Sequence, residues 1–555
     1  MQMYVTVVEA VKIQSYVFGS NRLRENIGAS HLVWQATELW PFEAVLEVCG
    51  AGKHNILITE NRPDLDPTVR IENGGVDAEI IYAAGGNVLI LFRDQGLAKR
   101  FAMALSRRAL EEAPGLRLLI ATKGFEWDAS GCPLRDAVDK VFGELRRMKE
   151  APELSAPLLG LGVTVPCGST GLPAVGWVKL PDGTRQPASA EVMAKDRAAE
   201  SAGERLKRTA ALAQEYRFPT EFDNLGRARG EFSYIAVGHA DGDSMGKTIQ
   251  EVGKEATDNR SYINKLRAFS RALNDVGQAA FEATLQALLQ RIERRDGKPV
   301  IRETADGDLV TEVELVQVPG DSGRWYLPFR PLIFGGDDFT FVSDGRLGLA
   351  LLMKFMSAFR SEAERRKNAF AGRTLTASGG VAIVKGHYPF ARAYSLAEEL
   401  CHAAKYHRER ELNGEAVPCL DWHFAQAGLL GSLREIRERQ YRVKLPSHRT
   451  GRLELRPVVL VRDARHSCRD WPTIEEGIKA FRSPDWLGRR NKMKALISAL
   501  RGGPEAVKQF RDLYNDGRSL PKICDAFGNW PEQGWQGPHC GYYDSLELVD
   551  WYVSL

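Results

Sequence analysis

The chain has 555 residues, 44% hydrophobic and 26% charged, a length that excludes a single hydrophobic core and points to about three or four domains. A net charge of only +3 excludes a strongly basic overall field, although local basic patches can still act. No uninterrupted apolar run approaches bilayer thickness, and the start MQMYVTVVEAVKIQ lacks the basic region and long apolar core of a secretion signal, so a cytoplasmic protein is expected.

YVTVVEA (residues 4–10) reads as a buried strand, followed by the polar loop SNRLRENIGAS and a helical stretch through HLVWQATELW. AEIIYAAGGNVLILF (78–92) is two apolar runs joined at Gly85, Gly86 and Asn87, which predicts a hairpin. A helix over GLAKRFAMALSRRALEEA and a strand over LRLLIATKGF complete a β-α-β-β-α-β order, the ferredoxin-like arrangement. The same order recurs in FSYIAVGHADGDSMG (232–246), a helix over about 261–294, the hairpin WYLPFRPLIFGGDDFTFVSD, a helix from residue 347 and the strand TLTASGGVAIVKG. A further helix, YPFARAYSLAEELCHAAKYHRER, ends in a basic cluster, and the polar insertion at 296–322 is expected to project as a hairpin or loop. The expected class is therefore α+β, with a first ferredoxin-like domain over 1–124, a helical domain over 125–230, a second ferredoxin-like domain over 231–425 and a basic, helical C-terminal domain over 426–555. The eight cysteines form no CxxC pair, so neither a zinc ribbon nor a disulfide scaffold is indicated and reduced thiols are expected.

The hairpin FGGDDF is costly as it stands, because adjacent carboxylates between apolar flanks repel each other and lose water. The topology brings Asp337 and Asp338 beside Asp241 and Asp243 of ADGDSMG. Four such carboxylates suit two Mg²⁺ or Mn²⁺ ions, which accept phosphate oxygens as their remaining ligands and serve phosphoryl transfer. Gly335 and Gly336 would let a triphosphate approach the backbone, and Lys405 would meet its phosphates. The bland alternatives are an exposed turn for the hairpin and a solvated helix end for Lys405. For His239 a structural hydrogen bond is the expectation, and for Cys167 a packed thiol.

Together the loop ADGDSMG, the hairpin FGGDDF, the stretch SGGVAIVKGHYPFARAYSLAEEL and the N-terminal IQSYVFGSNRLRENIGAS resemble the large polymerase/cyclase subunit of type III CRISPR effector complexes. The resemblance covers most of residues 1–425. It implies an antiviral nucleotidyltransferase with one active and one degenerate palm, converting ATP to cyclic oligoadenylates. By the same resemblance Asp241, Asp243, Asp337 and Asp338 hold the metals, and Gly335, Gly336 and Lys405 line the donor triphosphate. Ser378 and Gly379 lie near the nucleotide, and Ser20, Asn21 and Arg22 complete the acceptor side. The GGN at residues 85–87 matches the degenerate palm. Implied partners are other effector subunits and guide or target RNA, with no membrane. Two departures stand out: there is no HD pair in a helical context, so no DNase activity is expected. Only Cys132 and Cys167 fall between the palms, so no structural zinc is expected. A diguanylate cyclase acting on GTP and a catalytically idle nucleotide- or RNA-binding scaffold are the competing readings.

Overall fold

The computed structural model describes residues 1–59, 63–151, 160, 162–226, 234–321, 323–425, 431–445, 450–462, 468–515, 517–525 and 528–555. In the first sheet β1 (Gln2–Val11), β2 (Ala78–Ala84), β3 (Asn87–Phe92) and β4 (Arg117–Glu126) lie in the order β2-β3-β1-β4. Helices α1 (Leu23–Trp34) and α2 (Trp40–Cys49) separate β1 from β2, and α3 (Gln95–Glu112) separates β3 from β4. This is the expected ferredoxin-like order. Met3, Val5 and Val7 pack with Leu134, Val138 and Val141 of α4 (Pro133–Glu150) on one face of the sheet. Val8, Val88 and Ile90 pack with Phe101 and Leu105 of α3 on the other. Both faces are covered, which is why β1 reads as a nearly continuous apolar run. Farther along, α5 (Ala190–Thr209) lies against α1 at Gly28, where a Cβ would sit 1.7 Å from the Lys195 carbonyl oxygen.

The second sheet repeats the first. β5 (Tyr234–Gly242), β6 (Phe329–Gly335), β7 (Asp338–Asp344) and β8 (Ala377–Lys385) are ordered β6-β7-β5-β8, and β9 (Cys419–Phe424) and β10 (Val458–Val459) extend the β8 edge. Helices α6 (Met245–Lys254) and α7 (Asn259–Gln290) follow β5, α8 (Gly348–Arg365) follows β7, and α9 (Phe390–Arg410) follows β8. The repeat extends to its irregularities. The register slips between Ile80 and Tyr82 in β2 and between Pro331 and Ile333 in β6, the same place in each hairpin. One apolar cluster is shared by the palms, running from Val88 and Phe101 to Val237, Ala382 and Tyr394.

Of residues 125–230, expected as helical, α4 covers the first sheet, α5 lies on α1, and a hairpin of Gly176–Lys179 with Arg185–Ala188 stands between them. The expected boundary at 230/231 and residue 426 lie outside the described residues. The insertion after α7 forms a three-stranded antiparallel sheet, Ile292–Arg295, Lys298–Ala305 and Asp308–Glu314. Beyond β9 the chain has the expected helices, among them Trp471–Phe481, Arg490–Gly502 and Pro504–Tyr514. It also has a small sheet of Arg442–Lys444, Thr450–Arg452, His539–Cys540 and Trp535–Gln536. Strands of two or three residues carry no readable period, which is why only the helices were legible there. This part shares one core with the second palm, from Phe339 and Trp422 to Phe481 and Trp530. Cys468 and Cys524 lie side by side in this part, with Cα atoms 6.3 Å apart.

Candidate active site

Asp241, next to last in β5, pairs with Ser378 of β8, and its neighbour Ala240 pairs with Phe339 of β7. This register sets Asp241 beside the turn from which Asp338 starts β7. At Gly242 a Cβ would lie 2.5 Å from Asp337 Oδ2, so only glycine admits that carboxylate against the strand end. The turn itself needs a glycine at 336, where φ is +61°. Behind it, α7 presses its backbone on the turn at Gly277, whose Cβ would lie 2.2 Å from the Gly336 carbonyl oxygen. A Cβ at Gly335 would meet nothing within 4 Å, so packing does not explain that glycine.

Burial and the Asp241 charge push the Asp337 carboxyl up to about 6. Burial, Asp241 and Asp337 together push Asp338 well above the ordinary range, although its side chain keeps 41% of its exposure and water tempers the effect. The local counter-charge is Lys405 of α9, whose Nζ donates to Asp241 Oδ2 and, at 2.8 Å, to the Gly242 carbonyl. Burial pulls the Lys405 ammonium down, but the Asp241 carboxylate outweighs it and the net shift is upward. His239 contributes no cation. Its Nδ1 lies 2.9 Å from Thr340 Oγ1 and 3.6 Å from Asp338 Oδ1, and burial lowers its pKa to about 4. Among the described residues no three His, Cys, Asp or Glu side chains converge into a cage for a metal ion. The donors nonetheless fit Mg²⁺ or Mn²⁺. They are hard oxygens whose ionisation the site resists, and Mg²⁺ usually takes one or two carboxylates and completes its shell with waters and substrate phosphates.

The other expected residues fall in different places. Asp243 is buried, with Oδ2 accepting from Thr376 Oγ1 at 2.8 Å and Oδ1 accepting from Ser378 Oγ at 2.9 Å. Burial raises its pKa, and Arg408 opposes the rise. Ser378 has no exposed surface, and its hydroxyl is committed to Asp243. Gly379 faces α8, where a Cβ would lie 2.8 Å from Leu352 Cδ2. Both therefore belong to the sheet interior, directly behind the strand end that carries Asp241. In the N-terminal loop Ser20 Oγ donates to Glu25 Oε2 at 2.7 Å and Arg22 Nη1 to Glu25 Oε1 at 3.0 Å. Asn21 Oδ1 accepts from the Phe390 amide at 2.9 Å, which joins this loop to α9. The neighbouring Phe18 ring stacks on Tyr394 at 3.8 Å, and Tyr394 stands edge-on to His239 at 5.6 Å. The loop thus reaches the second palm through helix α9 and an aromatic chain.

Sequence reasoning missed three features. Arg408, buried in α9, sits 3.2 Å from Asp243 through Nε. In the first palm Glu9 pairs with Asn87 as Asp241 flanks Asp338, and Lys149 of α4 donates to Glu9 Oε1 at 2.6 Å. Each palm therefore keeps a carboxylate–lysine pair at the end of its first strand, the lysine coming from the helix after the fourth. Only the register makes this visible, because Glu9 is a single acidic residue in an otherwise apolar strand. The third feature is a cleft of about 890 Å³ between the palms. Phe334 and Gly335 line it from the second palm, Trp34 and Ala83 from the first, Arg205 from α5 and Arg271 from α7. The Arg205 guanidinium lies 3.9 Å from the Trp34 ring centre and 5.5 Å from that of Phe334. Guanidinium groups and aromatic faces of this kind suit phosphates and planar bases.

Residues 234–412 match the family model of the Cas10/Cmr2 second palm domain. No curated protein matches the chain. Among solved structures the chain is similar to Csm1 in T.onnurineus, at 14% identity over 99% of this chain and 68% of that one, with a TM-score of 0.48. It is also similar to a Csm1-Csm4 cassette in complex with pppApApA, at 13% identity over 99% of this chain and 69% of that one, with a TM-score of 0.49. These two likenesses are too distant to carry an argument about activity. The family match to the second palm stands on its own.

Proposed function

We propose that the second palm is a metal-dependent nucleotidyltransferase that joins ATP into cyclic oligoadenylate-type messengers in antiviral defence. One observation carries the reading. Asp241 and the adjacent pair Asp337 and Asp338, distant from it in sequence, lie at one sheet end with Lys405 as their counter-charge, and Asp337 is held up to about 6. In this reading Asp241, Asp337 and Asp338 would hold Mg²⁺ or Mn²⁺. When bound, such ions activate an attacking hydroxyl and neutralise charge on the phosphoryl and leaving pyrophosphate oxygens. Gly335, exposed and without a packing duty, leaves the backbone open to a triphosphate. Lys405 sets an ammonium beside Asp241 and would meet the phosphates. The inter-palm cleft would take the acceptor nucleotide, with Trp34 and Arg205 as its base- and phosphate-facing groups.

Among the described residues no helix is long and apolar enough to cross a membrane, and we place the enzyme in the cytoplasm. Contact with other effector subunits or with guide and target RNA is proposed through the basic C-terminal helix Arg490–Gly502 and its neighbours. No zinc and no DNase activity are proposed.

The diguanylate cyclase reading shares the palm and its metal chemistry. Separate incubation of the purified chain with labelled ATP and labelled GTP, each with Mn²⁺, distinguishes the two. Consumption of ATP is expected. Consumption of GTP alone would replace this reading with the cyclase one.

A further inference from the structure

Four carboxylates approach the sheet end, but they do not face the same way. The Asp241 and Asp338 side chains keep 42% and 41% of their exposure, whereas that of Asp243 keeps 2%. Thr376 and Ser378 hydroxyls occupy its two oxygens, and the Asp243 amide donates to the Thr376 carbonyl at 2.8 Å. Arg408 completes the enclosure. Its Nε lies 3.2 Å from Asp243 Oδ1 without an aligned hydrogen bond, so that contact is an ion pair. Its Nη2 donates to Ser244 Oγ at 3.2 Å, and its Nη1 donates to the Gly414 carbonyl at 3.0 Å.

The first palm shows what this slot is for. Register places Val11 where Asp243 stands, and both are followed by a residue with left-handed backbone, Lys12 (φ 56°) and Ser244 (φ 59°). Val11 is an apolar residue packed against the core, so the slot points inward in both copies. The second palm fills it with a charge and supplies an arginine to match. Arg408 and Lys405 lie one turn apart on α9, so this helix is docked on the acidic loop by two adjacent ion pairs, one inside and one at the surface.

We propose that Asp243 is a positioning residue rather than an ion ligand, and that the Asp243–Arg408 pair fixes α9 so that Lys405 and Asp241 are correctly placed beside Asp337 and Asp338. This inference rests on the nucleotidyltransferase reading and narrows its ligand set to three aspartates.

The test is a titration of the full chain with Mn²⁺ in the presence of a non-hydrolysable ATP analogue, followed by the electron paramagnetic resonance signal of free Mn²⁺. Asp241→Asn, a lost ligand, is expected to weaken Mn²⁺ binding by about tenfold or more. Asp243→Asn is expected to stay within about threefold of the parent while its turnover of ATP falls about tenfold, a split that displacement of a positioned group produces. Its melting temperature should drop, because Arg408 is left buried without a counter-charge. In the double variant Asp243→Asn/Arg408→Gln, which removes both charges, the melting temperature should recover in part while Mn²⁺ binding stays near the parent's. If Asp243→Asn folds normally yet loses Mn²⁺ as Asp241→Asn does, the proposal is overturned. Failure of both Asp243 variants to fold beside a folded Asp241→Asn supports it, because removing an ion-facing carboxylate relieves repulsion instead of opening the core. A parent that takes up no Mn²⁺ overturns the nucleotidyltransferase reading and this inference with it.

Discussion

Asp337 carries its charge against burial and against Asp241, so its ordinary ionisation destabilises the cation-free fold. A carboxyl raised from 3.8 to about 6 adds stability that is fully present below about pH 4 and is lost as pH rises through about 6. The buried neutral histidines His31 and His239, both lowered to about 4, slope the opposite way. The useful quantity is therefore the melting temperature of the parent minus that of Asp337→Asn. In metal-free buffer this difference should become more negative by a few degrees between about pH 4 and pH 7, and millimolar Mg²⁺ should reverse it at neutral pH but not at pH 4. A flat difference would mean that the carboxyl is not held up. Lys405 has a different signature. A charge-assisted hydrogen bond to a triphosphate is worth about 1.5–3 kcal/mol, so Lys405→Ala should cut turnover efficiency on the order of ten- to a hundredfold. Steady-state ATP consumption at matched Mg²⁺ measures this, and a change under about twofold would leave Lys405 as no more than the partner of Asp241.

The long helix α7 passes its backbone against the Gly336 carbonyl, and a methyl group at Gly277 would have to move that turn. Gly277→Ala should therefore lower ATP turnover by about tenfold or more, as displacements near 1 Å do in positioned sites, with a drop in melting temperature of a few degrees. Parent-like turnover would show that the turn need not be held from behind. In the first palm the hairpin carries Gly86 and Asn87 where the second carries Asp337 and Asp338. Glu9 and Lys149 preserve the strand-end pair there, yet Asn87→Asp still leaves position 86 without a carboxylate. That substitution should restore no ATP turnover to the Asp337→Ala/Asp338→Ala chain, and restored turnover would show that the first palm is a latent second centre. Both hairpins were legible in the sequence because apolar strands of ordinary length flank a glycine-rich turn. Glu9 was not, because a single acidic residue in an apolar strand acquires meaning only from the register that sets it against Asn87.

Repeated strand order and the spacing of helices revealed two palms, and they share one apolar cluster that holds their hairpins on a common cleft. What the sequence concealed was direction. Asp241 and Asp243 look equivalent in ADGDSMG, and strand alternation alone would set both on one face, but β5 ends at Gly242 and Asp243 lies beyond it, buried against Arg408, a partner 165 residues away that nothing local announces. The packing of Gly379 on α8 was hidden in the same way, since a glycine that admits a ligand and one that admits a helix look alike in sequence. If the second palm joins ATP through its outward-facing aspartates, chemistry must depend on them and folding must not. The deciding measurement is mass analysis of the products formed from ATP and Mn²⁺ by the parent and by Asp337→Ala/Asp338→Ala, with melting temperatures taken on the same samples. The expected result is oligoadenylate products from the parent and none from a double variant that melts no lower. Equal product from both chains would contradict it.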